Sequence, residues 1–134
     1  MEISSFTDLL DAAKAQSQPQ RLLFMFAKAE LPPGLNAEEK QAFENRQGGA
    51  LTAVMCVDKL TTELRDFAHL AAESAHTGKP WDIVFVTTMS GKNGLAPSTE
   101  EANRPLDMMV QSLRNGNISQ YLAFNQAGEL VQLS

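Results

Sequence analysis

A single cysteine, Cys56, excludes an intramolecular disulfide and suits a reducing compartment. Long apolar runs are missing too. The longest, Leu22 to Ala27, is far short of the ~20 residues needed to cross a bilayer. The start, Met1-Glu2-Ile3-Ser4, carries neither the basic nor the apolar segment of a secretory signal. These absences together lead to a cytoplasmic expectation. Basic residues are scarce: 11 Lys and Arg stand against 16 Asp and Glu, for a net charge of −5. Neither half of the chain is basic, so neither nucleic acid nor an anionic membrane surface is an expected partner. Aromatic polarity is also rare, with one Trp and one Tyr against seven Phe.

What is present describes one folded domain spanning residues 1–134. Hydrophobic residues make up 43% of the chain and charged ones 20%, a balance that excludes intrinsic disorder. Helical and strand periodicities alternate along it. Phe6, Leu9, Leu10 and Ala13 fall on one helical face, with Ser5 and Asp8 forming a capping box. Arg21 to Ala29 reads as a buried strand stopped by Pro32-Pro33-Gly34. A short helix is expected at about 37–46, behind Asn36 as N-cap. Gly48-Gly49 then releases a second strand, Ala50 to Val57.

The strongest helical stretch is Thr62 to Thr77, with Leu64, Phe67, Ala68, Ala71 and Ala75 as its stripe and Gly78 at its end. Trp81, a core-rim anchor, leads a third strand at Ile83 to Val86. Ser98 with Glu101 is another capping signature. Pro105 lies too deep for one continuous helix, so a turn followed by a helix over about 104–115 is expected. Leu106, Met109, Val110 and Leu113 form its buried face. Tyr121 to Phe124 and Leu130 to Leu133 close the chain as an antiparallel hairpin with a left-handed Gly128.

These elements predict an α+β sandwich: a mixed sheet of four or five strands with three or four helices packed on it. A shift of 61 positions aligns Phe6 with Phe67, Leu9 with Leu70, Pro19 with Pro80 and Phe24 with Phe85. That pattern is open to two readings, an αβαβ duplication or the shared grammar of any two helix–strand pairs.

Candidate chemistry is sparse. Cys56, among Val54, Met55 and Val57, reads as a small buried hydrophobe. His69, Glu73 and His76 share a helix face at metal-ligand spacing. The ordinary account of that face is a solvated one with i,i+4 charge partners, and no metal or cofactor is expected. The segment 87–98 leaves a buried strand as a long polar loop, where αβ sheets tend to place ligands. Thr88, Ser90, Lys92 and Asn93 are its candidate ligand-binding residues. P-loop and dinucleotide spacings are absent, and a plain polar turn is the competing reading. Glu38, Glu39, Glu100 and Glu101 read as helix N-terminal charges.

The stretches Met1–Leu10, Arg21-Leu22-Leu23-Phe24, Gly48-Gly49-Ala50-Leu51-Thr52, Trp81–Val86 and Gly128–Leu133 resemble a small family of proteobacterial proteins. Its members often bear the label "ribonucleotide reductase subunit alpha". That label implies reduction of ribonucleotides, which needs a radical-bearing cysteine and a redox pair, whereas this chain has only Cys56. A resemblance of pattern links Leu51 to Phe67, and the closing helix–Gly116–strand–hairpin, to serine-sensitivity-enhancing (SseB-type) domains. The Asn-Pro that this pattern carries after its fourth strand is Asn125-Gln126 here. This resemblance implies fold rather than activity.

Two functional expectations follow. One is an interaction or regulatory module without catalysis of its own, pairing with itself as a homodimer or with another protein through an exposed sheet edge. The other is a small-ligand binder or enzyme using the 87–98 loop.

Overall fold

The computed structural model describes residues 3–30 and 50–131. The expected helix at 37–46 lies outside the described residues. Helix α1 (Phe6–Lys14) begins where Ser5 accepts the Asp8 amide at 3.1 Å. Asp8 in turn accepts from the Ser4 amide and hydroxyl rather than completing a box with Ser5. Strands β1 (Gln20–Glu30) and β2 (Ala50–Leu60) follow. A 3-10 turn (Thr61–Glu63) leads to helix α2 (Phe67–Ala75). After β3 (Ile83–Ser90) come helix α3 (Thr99–Arg114), β4 (Leu122–Asn125) and β5 (Leu130–Val131).

The α+β sandwich is as expected, with five strands in the order β2-β1-β3-β4-β5. Every pairing among the described residues is antiparallel, so the parallel component of the expected mixed sheet is not found. The reason lies in the strand order: α2 crosses from β2 to a β3 that runs parallel to it, but β1 lies between the two and runs against both. β1 is central. Every side chain from Leu22 to Ala27 is buried, because α1 and α2 cover one sheet face and α3 the other.

On the first face, Phe6, Phe24, Phe26, Phe67, Trp81 and Phe124 pack edge-on or tilted. Phe6 meets Phe67 at 5.3 Å, and Phe26 meets Trp81 at 5.0 Å. Leu23, Met25, Phe85 and Ala123 meet Ala102, Leu106, Met109 and Leu113 on the second. The suggested duplication is not confirmed. α1 and α2 both open on an aligned phenylalanine and share a face, yet Phe24 and Phe85 point to opposite faces. No single symmetry operation relates both pairs.

Three element boundaries correct the sequence reading. The expected helix over Thr62–Thr77 is divided: Leu64 is extended, and Asp66 starts α2 by accepting the His69 amide at 2.7 Å. A side-chain N-cap inside the stretch competes with helix continuation there. The expected turn before residue 104 is instead helix, since α3 runs unbroken through Pro105. Ser98 and Glu101 form a reciprocal capping box, and the buried stripe Ala102, Leu106, Met109 and Leu113 spans the proline. Only the bond from position 105 to Glu101 is forfeited. Third, β3 continues to Ser90, paired with β1 as far as Gln20, where a loop was expected from Thr87. The closing hairpin is as expected, with Gly128 at φ 81°.

β2 carries a bulge. Phe26 pairs with Met55 but Ala27 with Ala53, which leaves Val54 as the extra residue. Val54 and Met55 therefore both pack on the aromatic face.

Candidate functional site

Among the described residues β2 is the outermost strand, and α2 covers its aromatic-face side chains only in part. A groove of about 170 Å³ results. Phe26, Met55 and Val57 line it from the sheet, and Leu70 from α2. Its polar end is built by Lys59, Glu73, Ser74 and Thr77. Lys59 Nζ lies 3.0 Å from Glu73 Oε2, joining β2 to α2. The other carboxylate oxygen, Oε1, faces His69 Nδ1 at 3.3 Å. The hydrogen bond from Lys59 holds the Glu73 carboxyl below its ordinary pKa, assisted by the positive potential of Lys59, His69 and His76. The wall behind is fixed by Ser74, whose hydroxyl donates to Ala71 O at 2.6 Å and accepts from Trp81 Nε1 at 2.8 Å.

The face carrying His69 and Glu73 is thus turned toward β2, not away from the core as the sequence suggested. Lys59 places a cation at Glu73, and His76 stands apart as the exposed C-cap of α2. Among the described residues, no three His, Cys, Asp or Glu side chains gather as metal ligands.

The structure disperses the loop candidates. Thr88 and Ser90 are exposed residues of β3, where Ser90 Oγ accepts from Gln20 Nε2 at 2.9 Å. Lys92 and Asn93 sit in a tight turn: Lys92 and Leu95 exchange both backbone hydrogen bonds at 2.9 Å. Asn93 at φ 54° and Gly94 at φ 79° give the two left-handed central residues of a type I′ hairpin. The polar-turn reading is therefore the geometry found at 92–95.

Cys56 is exposed rather than buried, a consequence of the strand's edge position. Desolvation beside α3, then the negative charge of Asp107, push its thiol above the ordinary value. Thiolate supply is thereby reduced at neutral pH. Labelling with a disulfide reagent is expected to follow a pH profile displaced to higher pH than that of a free thiol. Asp107→Asn should shift the profile back down; a profile matching the free thiol from the outset would contradict this environment.

One polar cluster has no counterpart in the sequence reading. Arg21 is buried on the α3 face of β1, 8% exposed. Its Nη1 lies 2.5 Å from Asp58 Oδ2 of β2 and 3.2 Å from Thr99 Oγ1 of α3. Its Nε donates to Pro97 O at 2.6 Å, while Thr99 donates to Asp58 at 2.7 Å. The one available signal was Arg21 at the head of an apolar strand and Asp58 at the tail of another. Arg21 Nε and Nη1, the Thr99 hydroxyl and Asp58 Oδ2 all find partners within the cluster, which makes it a latch rather than a vacancy for substrate.

Among the described residues, no helix is long and apolar enough to cross a membrane. Comparison with protein-family models, with curated proteins and with solved structures finds no match.

Proposed function

We propose that the protein is a cytoplasmic interaction module that takes up an extended segment of a partner protein as a sixth strand on β2, without catalysis of its own. The observation that carries this reading is the eleven-residue β2 at the sheet edge, flanked by the groove against α2. An edge strand offers unpaired main-chain N–H and C=O groups as a template, and neighbouring pockets select alternate side chains. The groove's volume exceeds the ~150 Å³ of an apolar cavity that accommodates benzene. One large aliphatic or aromatic side chain of the incoming strand is its fitting occupant. The net charge of −5 favours a polypeptide over a nucleic acid. Ribonucleotide reduction is not part of this proposal, since Cys56 has no second cysteine to form a redox pair.

The test is titration of the isotope-labelled protein with short extended peptides that alternate polar residues with Phe or Leu. Amide shifts should concentrate on β2 and α2, and replacing the central Phe by Ala should weaken binding by about tenfold or more. Val57→Lys, a charge on the groove side of the edge, should abolish the shifts while leaving the melting temperature within a few degrees. Shifts confined to Thr88, Ser90, Lys92 and Asn93 would overturn the reading in favour of a ligand at the hairpin. If light scattering finds a constitutive dimer that Val57→Lys dissociates, the added strand comes from a second copy.

A further inference from the structure

Asparagine followed by glycine is the dipeptide most prone to spontaneous deamidation, because glycine has no side chain to shield its nitrogen. Two such steps occur, Asn93-Gly94 and Asn115-Gly116, and all four residues are exposed. Besides their backbone setting, a hairpin turn against a helix end, they differ in what the glycine amide bonds to. The Gly116 amide donates to a main-chain carbonyl, Leu113 O, at 3.2 Å in the last turn of α3. The Gly94 amide instead donates to a side chain from another part of the fold, Gln18 Oε1, at 2.9 Å. Gln18 is itself held in place. Its carbonyl accepts from Gln20 Nε2 at 3.0 Å, and Gln20 is buried and also donates to Ser90.

We propose that Asn93 is a latent modification site whose conversion to aspartate and isoaspartate is held back by Gln18. The chemistry needs only solvent. The Gly94 nitrogen gives up its proton and attacks Asn93 Cγ; the N–Cγ bond forms, the Cγ–Nδ2 bond breaks, and ammonia leaves. Water then opens the cyclic imide at either carbonyl, yielding aspartate or isoaspartate. The nitrogen donating to Gln18 is the attacking atom, so it must surrender that hydrogen bond before it can react. The paired bonds between Lys92 and Leu95 add to the restraint by fixing the turn. Once formed, isoaspartate lengthens the main chain by a methylene, which the two-residue hairpin cannot absorb. It also adds a negative charge beside Lys92.

The experiment is incubation of the full chain at mildly alkaline pH, with isoaspartate and aspartate at both sites followed by peptide mapping. Loss of one hydrogen bond corresponds to a rate increase of about fivefold. Gln18→Ala and Gln18→Met are expected to accelerate conversion at Asn93 by that factor while Asn115 keeps its wild-type rate. Gln18→Glu, which retains an acceptor oxygen, should restore protection. Asn115 is the internal reference for folding: if both sites accelerate together, the fold has loosened and the guard is refuted. Equal Asn93 rates in wild type, Gln18→Ala and Gln18→Met would refute it as well.

Discussion

Replacing Arg21 by alanine destabilises the protein by about 3–5 kcal/mol, the usual consequence of removing one partner from a buried ion pair. For a chain of this size the melting temperature falls by about 10–15 °C. The cause is what the guanidinium leaves behind. Asp58 retains only the Thr99 hydroxyl as its partner in the latch, and Pro97 O loses its donor at the start of α3. Thermal and urea unfolding would measure the loss. Arg21→Met combined with Asp58→Leu should cost less than Arg21→Ala alone, because neither charge is then left buried and unpaired. A single-mutant loss below about 1 kcal/mol would reduce the latch to an ordinary surface pair.

Gly91→Ala carries the second large effect, at about 3 kcal/mol, by overpacking. A Cβ at this position would stand 2.1 Å from Leu95 O and 2.9 Å from Pro19 O, both main-chain atoms. Those carbonyls are not free to retreat. Pro19 O accepts the Gly91 amide at 2.8 Å, and Leu95 O accepts that of Lys92. The variant should therefore lift the 92–95 hairpin away from the start of β1, with amide shifts spreading from Gln18 to Leu95. Gly94→Ala offers the contrast. Nothing lies within 4 Å of a Cβ there, and only the left-handed φ of 79° is strained, at about 1–2 kcal/mol. If the two substitutions cost the same, close approach is not what position 91 demands.

The parts of the fold that could be read from the sequence are those written in local periodicity. α1, the central run Leu22 to Ala27, Val84 to Val86 and the final hairpin each announce themselves within a dozen residues. Misreadings arose where a local rule met a longer one. Pro105 breaks helices by rule, yet a buried stripe and a complete capping box hold α3 together around it. Asp66 looked like one more polar residue in a helix, and its carboxylate instead starts a new one.

The candidate site was hidden more deeply. His69 and Glu73 were visible as a helical pair, but their partner Lys59 sits on an edge strand whose outer position no periodicity reports. The latch joins positions 21, 58, 97 and 99, and Arg21 reaches 78 residues along the chain to Thr99. A polar residue in such a network resembles any surface charge until the sheet brings its partners together. The hairpin motif is the reverse case: Lys92-Asn93-Gly94 carries a turn signature in plain view, yet its composition serves a ligand loop equally well.

The bulge at Val54 resets the phase of β2's inward–outward code. Before it, Leu51 and Ala53 face α3; after it, the α3 side falls to Cys56 and Asp58, and the α2 side to Val57 and Lys59. Both cross-element ion pairs depend on that offset, Asp58 with Arg21 on one face and Lys59 with Glu73 on the other. Flattening the bulge into regular alternation with Val54 retained would leave the composition of the strand untouched. It would nevertheless set the two ends of β2 in conflict: if the first half kept its register, Asp58 would turn toward Glu73 and Lys59 toward Arg21, like charge meeting like on each face. Deleting Val54, by contrast, would join Ala53 to Met55 in the register they already hold and keep both pairs. The two-against-one pairing at Val54, more than any single side chain there, is therefore what lets an eleven-residue strand present both charges to the right faces.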